Sequence, residues 1–178
     1  VRYIYGETQN ARLQQGNKTG QWYLEWMIDP NGNSVHYTYK RLTGILPGSS
    51  TLYVQVYLDT IYYTGYNKTN GTFAVTFTLD DGTRPDKQID GRMGFIVYSV
   101  YRYKEITVSY GGQVVWRYVL NYTTGAFDKS LLQRVEVRSG SGQLFYAHDF
   151  EYYDEVGWGN SQLNLFDAPV VMENTEEI

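Results

Sequence analysis

Apolar and polar residues alternating at a period of two most narrow what this chain can become. Phe73, Val75, Phe77 and Leu79 are separated by Ala74, Thr76 and Thr78, with Asp80 following. One side of the segment is therefore apolar and the other small or polar, as in a half-buried β-strand. The pattern returns at Val114, Trp116, Tyr118, Leu120 and Tyr122, and again at Leu144, Tyr146, His148, Phe150 and Tyr152. Helical periodicity of comparable length is lacking, and the best helical candidate is one turn at Asn10 to Gln15, closed by Gly16. Between the alternating runs lie Asn31-Gly32, Asn70-Gly71, Asp81-Gly82, Gly111-Gly112 and Ser139-Gly140-Ser141-Gly142. Such pairs supply the positive φ values of tight reversals. Four hairpins are expected: Trp22 to Tyr39, Tyr57 to Leu79, Tyr101 to Tyr122, and Leu131 to Tyr153. The fold class is all-β, with at least eight antiparallel strands and less than about a tenth of residues helical, forming an extended curved sheet or a sandwich.

The hairpins share a plan. Each opens on two apolar residues three apart: Leu24 and Met27, Leu58 and Ile61, Tyr103 and Ile106, Leu132 and Val135. Each closes on an aromatic residue: Tyr39, Phe77, Tyr122 and Tyr152. The spacing between units is irregular, so the array is degenerate. Residues three apart in a strand point to opposite faces. Either the sheet is covered on both sides there, or a β-bulge restores the register. Arg41 to Thr51, with Leu46-Pro47-Gly48-Ser49-Ser50, reads as a loop. Residues 1–156 form the hairpin domain. Residues 157–178, which lose the alternation and end acidic, read as a linker or extension.

Composition removes several function classes. With no Cys, thiol catalysis and zinc–thiolate sites are excluded. A net charge of −4 without a basic stripe argues against nucleic acid, and no apolar run is long enough to span a bilayer. The chain starts Val1-Arg2-Tyr3 without Met or a leader and reads as a piece excised from something longer. Phosphate-loop, nucleophile-elbow and dinucleotide patterns are missing. His36, beside Ser34, Thr38 and Lys40, reads as a solvated strand histidine, and His148, among Tyr146 and Phe150, as a packed one. Asp80, Asp81, Asp86 and Asp90 lack the spacing of an EF-hand loop and read as an acidic turn with Arg84 as counter-charge. Asp149 and Glu151 share one strand face and read, with Asp154 and Glu155, as a charged surface. No catalytic, metal or cofactor residue is nominated. The triplets at Asn17, Asn67, Asn70 and Asn121 arise readily from Asn in turns followed by Thr in strands.

Five motifs in one order carry a family likeness. The run Trp22-Tyr23-Leu24-Glu25-Trp26-Met27-Ile28-Asp29-Pro30-Asn31-Gly32-Asn33-Ser34-Val35-His36-Tyr37-Thr38-Tyr39 resembles the W-x-L-x-x-I-x-D-x-N-G-N-x-I-x-Y-x-Y signature of SpvB-like and TcB-like toxin proteins of the RHS/YD-repeat kind. Tyr57-Leu58-Asp59-Thr60-Ile61-Tyr62-Tyr63-Thr64-Gly65 is similar to Y-L-x-x-I-x-Y-T-G, and Arg84-Pro85-Asp86 to R-P-D. Tyr103-Lys104-Glu105-Ile106 with Val115-Trp116-Arg117-Tyr118-Val119-Leu120-Asn121-Tyr122, and finally Phe150-Glu151-Tyr152-Tyr153-Asp154-Glu155-Val156, complete the series. The resemblance implies a non-catalytic structural segment of a large secreted or cell-surface bacterial toxin. Its hairpins would form part of a β-shell around or beside a toxic module, and its partners would be neighbouring hairpin repeats and an encapsulated toxin polypeptide.

A competing reading is a carbohydrate-binding or adhesion module using exposed Tyr and Trp. The two separate by where rings point. A scaffold buries Trp22, Trp26, Trp116 and most Tyr bodies. A glycan binder instead exposes two or three rings along one groove, from Trp26, Tyr62, Tyr63, Tyr66 and Trp158, with Tyr62, Tyr63 and Tyr66 the first candidates.

Overall fold

The computed structural model describes residues 1–152. The 156/157 boundary, the 157–178 extension, Tyr153, Asp154, Glu155 and Trp158 lie outside them. The elements are β1 (Arg2–Tyr5), β2 (Arg12–Gln15), β3 (Lys18–Trp22), β4 (Leu24–Ile28), β5 (Asn33–Ile45), β6 (Leu52–Tyr66), β7 (Phe73–Leu79), β8 (Gln88–Asp90), β9 (Ile96–Ser99), β10 (Tyr103–Tyr110), β11 (Gln113–Thr124), β12 (Ser130–Ser139) and β13 (Leu144–Asp149). Among the described residues the only helical element is a 3-10 turn at Ala126–Asp128. The protein is thus nearly all β, and antiparallel apart from one short pairing of β6 with β9.

The main sheet follows chain order closely: β1-β4-β5-β6-β7-β10-β11-β12-β13, with β8 and β9 attached to the side of β6. All four expected hairpins form, as β4–β5, β6–β7, β10–β11 and β12–β13. Asp29 sets the first turn. Its Oδ1 accepts the N–H groups of Asn31 and Asn33, each at 2.8 Å, and the Asn33 side chain is the largest cause holding its carboxyl below the ordinary range.

Three expectations are corrected. Arg41 to Thr51 is loop only in its second part: β5 runs to Ile45 and β6 starts at Leu52, so residues 46–51 are the turn by which the two long strands form a further hairpin. Asn10 to Gln15 contains strand β2 rather than a helical turn, because pairing with β3 drives Leu13 into the core at 2 % exposure. Asp81-Gly82 is not a hairpin turn. The chain leaves β7 there for the β8–β9 excursion and returns to the sheet at β10, with Asp80 N donating to Arg102 O at 2.7 Å.

Four register shifts decide between the two readings of the opening pairs. Against β1, Tyr5 faces Leu24 and Ile4 faces Trp26, which leaves Glu25 extra. Against β5, Tyr39 faces Leu58 and Thr38 faces Thr60, leaving Asp59. Against β7, Leu79 faces Tyr103 and Thr78 faces Glu105, leaving Lys104. Against β11, Tyr122 faces Leu132 and Asn121 faces Arg134, leaving Gln133. A polar residue is inserted between the members of every opening pair, and the bulge returns both members to one face.

The register gives the sheet two chemically different faces. One rung joins Phe77, Ile106, Tyr118, Val137 and Tyr146 across five strands, and its neighbour on the other face joins Thr60, Thr76, Thr107, Arg117 and Arg138. Among the described residues the buried core cluster sits at one end of the apolar face, where Leu13 of β2 and Phe95 pack on Val54 and Val56 of β6. Elsewhere that face is half-buried, and Tyr146 near its far edge is exposed.

Candidate functional site

The bulges are also where the tyrosines act. Tyr39 Oη donates to Leu24 O at 2.6 Å, Tyr103 Oη to Leu58 O at 3.0 Å, Tyr122 Oη to Tyr103 O at 2.7 Å and Tyr152 Oη to Leu132 O at 2.7 Å. Each acceptor is the carbonyl of an opening residue, at the point where the extra residue interrupts the ladder. Backbone carbonyls in such gaps need donors, and a phenol can supply one while its ring stays in the apolar layer. In the first, third and fourth units the donor is the unit's own closing Tyr. In the second, Phe77 and Leu79 lack a hydroxyl, and Tyr103 of the third unit reaches back instead, its ring 5.6 Å from that of Phe77.

Burial pushes the Tyr39 and Tyr103 hydroxyls up to about 12, and Tyr122 is raised for the same reason. These three hydroxyls therefore stay protonated. Because these values are raised in the folded state, their contribution is complete below the unfolded value of about 10 and disappears as pH rises towards 12. Replacing Tyr39 or Tyr122 by Phe is expected to cost about 1 kcal/mol at neutral pH, with a shallower loss of stability above pH ~10 than the parent. Urea denaturation at both pH values measures this. Equal stability of variant and parent at neutral pH would remove the latch.

The Arg84-Pro85-Asp86 segment forms a second device. Arg84 Nε and Nη2 reach the two oxygens of Asp86, both at 2.8 Å, and Ser130 Oγ donates to Asp86 Oδ1 at 2.7 Å. Arg102 donates to Ser130 Oγ at 3.0 Å and lays its guanidinium 4.4 Å from the Tyr122 ring centre. The loop after β7 is thereby fastened to the start of β12. The Asp86 side chain is only 6 % exposed. The bond from Arg84 is the largest cause holding its carboxyl far below the ordinary range, against the effect of burial. The remaining acids have their own cations: Asp80 pairs with Arg102, Asp81 with Lys104 and Asp90 with Arg92. Arg84 is counter-charge to one acid of the four.

A hollow of about 460 Å³ opens where β6 parts from β7 to meet β9, lined by Lys40, Tyr57, Asp59, Thr76, Thr78 and Tyr101 among others. The Tyr57 ring is fixed there because its hydroxyl accepts the N–H groups of Val100 and Tyr101, each at 3.1 Å. Asp59, the extra residue of its bulge, has no cation within ion-pair distance among the described residues; its carboxylate meets only the Thr60 hydroxyl, at 3.4 Å. Among the described residues no three His, Asp or Glu side chains group to hold a metal ion.

Tyr62, Tyr63 and Tyr66 are placed apart. Tyr62 continues the cross-strand line Trp26–His36–Tyr62, in which His36 stacks on Trp26 with ring centres 3.8 Å apart and its Nδ1 meets Asn70 Oδ1 at 2.7 Å. Tyr63 is its sequence neighbour on the opposite face, stacked on Phe73, which leans on Tyr110. Tyr66 is 59 % exposed at the turn, its ring against Gly32. Trp26 is buried, Trp116 half-buried and Trp22 57 % exposed, so the expectation of burial fails at Trp22, the last residue of β3. His36 is a stacked, hydrogen-bonded residue rather than a solvated one. His148 is exposed rather than packed, because among the described residues β13 is an edge strand with only β12 beside it. Asp149 pairs with Arg134 at 2.8 Å on the charged face.

No protein-family model and no curated protein matches the sequence. Solved structures do. The chain is similar to TcdB2-TccC3-TEV (TM-score 0.65, 18 % identity), with 80 % of this chain aligned to 9 % of that one. It is similar to the Tc holotoxin pore of Photorhabdus luminescens carrying TccC3-D651A (TM-score 0.64, 17 % identity), with the same coverage. It is also similar to the N-terminal domain of the effector SpvB from Salmonella typhimurium strain LT2 (TM-score 0.59, 18 % identity), with 85 % of this chain aligned to 58 % of that one. The chain thus spans about a tenth of the toxin chains and little more than half of the SpvB domain. The likeness establishes that it has the fold found in these toxin and effector structures.

Proposed function

We propose that this chain is a non-catalytic structural segment, a stretch of wall in a large β-shell of the RHS/TcB/SpvB-like kind, secreted or carried at the cell surface. The observation that carries the reading is the two-faced sheet: strands arrive hairpin by hairpin, an apolar rung crosses five of them from Phe77 to Tyr146, and bulges with tyrosine latches hold the register. A wall needs these properties, since one surface must meet an enclosed polypeptide and the other water. Its partners are the neighbouring hairpins and, against the apolar rungs, an enclosed toxin polypeptide. The test is electron microscopy of the parent polypeptide. A hollow particle with this segment continuous with the wall is the expected image; a separate knob on a stalk would overturn the reading.

Carbohydrate binding is the second reading. The hollow beside Asp59 favours it, because ring faces and hydroxyls converge there with a carboxylate free of cations among the described residues. The alternative platform of Tyr62, Tyr63 and Tyr66 would have to work from two faces of the sheet. In a glycan-array screen of the intact chain, loss of binding with Asp59→Asn would identify the hollow, and loss with Tyr66→Ala the turn.

A further inference from the structure

The latches make β1 legible as half of something. In the main sheet the first strand of each of the four expected hairpins (β4, β6, β10 and β12) carries the bulge, and it lies against β1 or the second strand of the hairpin before it. β1 therefore occupies a second-strand place. Tyr5 faces the opening residue Leu24 as Tyr39 faces Leu58 and Tyr122 faces Leu132. Tyr39 and Tyr122 each donate across their own hairpin to an opening carbonyl. Tyr5 stands in the same register position, is 55 % exposed, and among the described residues its strand has β4 as its one neighbour.

We propose that the outer edge of β1 is a docking edge for one kind of partner: a bulged strand with the pattern apolar, polar, any residue, apolar, joined to β1 as the first strand of a hairpin. Its opening carbonyl receives the Tyr5 hydroxyl. The second apolar residue then stands opposite Val1, four residues before Tyr5, as Met27 stands opposite Val35, Ile106 opposite Tyr118 and Val135 opposite His148. Tyr3 is 52 % exposed and Val1 66 % exposed, so apolar area at this edge is available for cover. An edge strand presents unpaired N–H and C=O groups that template such an addition. The proposal rests on the wall reading and names the partner that this edge takes.

The test fuses, ahead of Val1 of the full chain, a strand copied from Val56 to Ile61 through an Asn-Gly turn, which sets Ile61 opposite Val1. Three controls accompany it: the same fusion with the two apolar openers changed to Ser, the fusion in a Tyr5→Phe background, and Tyr5→Phe alone. The intact fusion is expected to melt higher than the parent by several degrees and to slow amide exchange in β1. The Ser fusion should lose the gain. Tyr5→Phe should lower the fusion's melting point by roughly 2–4 °C while leaving the unfused chain unchanged. An absent gain, a gain kept by the Ser fusion, or a gain indifferent to Tyr5→Phe would overturn the docking edge. None of these results bears on whether the parent particle is hollow, so the two readings fail separately.

Discussion

Asp86→Ala is expected to destabilise the protein by about 3 kcal/mol, because it leaves the Arg84 guanidinium and the Ser130 hydroxyl without their shared partner in a site where the carboxylate is nearly buried. The midpoint of urea denaturation should fall with an unchanged slope. Replacing both partners, as Arg84→Met with Asp86→Leu, should recover most of the loss, since apolar groups of similar size carry no stranded charge. Acid should reproduce the single variant in the parent. The Asp86 carboxyl is depressed in the folded state, so its contribution is whole above the unfolded value near 3.9 and drains away as pH falls below it. A single substitution costing under about 0.5 kcal/mol, the level of an ordinary surface change, would show that the loop is held by other contacts.

The second large effect is expected at Gly71. A Cβ there would sit 1.8 Å from Tyr63 O and 2.6 Å from the Thr64 carbonyl carbon, both backbone atoms, so no rotamer change relieves it. Gly71→Ala should cost about 3 kcal/mol and pull Asn70 away from His36, disturbing the stack on Trp26. Tryptophan fluorescence would report that locally. Gly140, whose Cβ would meet Val114 O at 1.9 Å, should behave alike. Gly111→Ala, with φ of +55 and open space around it, should cost only about 1–2 kcal/mol. Gly82→Ala, unstrained and unobstructed, should be neutral. A flat response across the four would mean that the turns are not packed as described.

Alternation and turn chemistry sufficed for the four hairpins because both are local: Phe73 to Leu79 announces its own period, and Gly111-Gly112 its own reversal. They could not reveal β2, β8 or β9, which are too short to show a period, and β9 also takes a distant partner in the parallel pairing of Tyr53 with Ile96. His148 shows a second limit. Alternation tells which face a residue takes, and on an edge strand that face can lie open. The opening pairs were visible as a three-residue spacing with a bulge as one explanation, and the closing aromatics were visible too. The bond between them was not, because a hydroxyl meeting a carbonyl from Tyr39 to Leu24 depends on how far the bulge displaces the strand. For the glycan platform, the spacing of Tyr62, Tyr63 and Tyr66 hid the face change between the first two and the positive φ of 61° at Thr64.

Because sheet order tracks chain order, assembly can proceed as the chain appears. Hairpin closures are short, and loop-closure entropy grows only slowly with length, about 0.6 kcal/mol per doubling. Two closures are longer: β1 onto β4 across residues 6–23, and β7 onto β10 across residues 80–102. Each holds a small two-stranded pairing of its own, β2–β3 in the first and β8–β9 in the second, which shortens the free length to be closed. Such a sheet has low contact order for an all-β protein and should fold quickly for its class. A chain threaded through a narrow exit could lay down this structure strand after strand, each new hairpin finding a finished edge waiting.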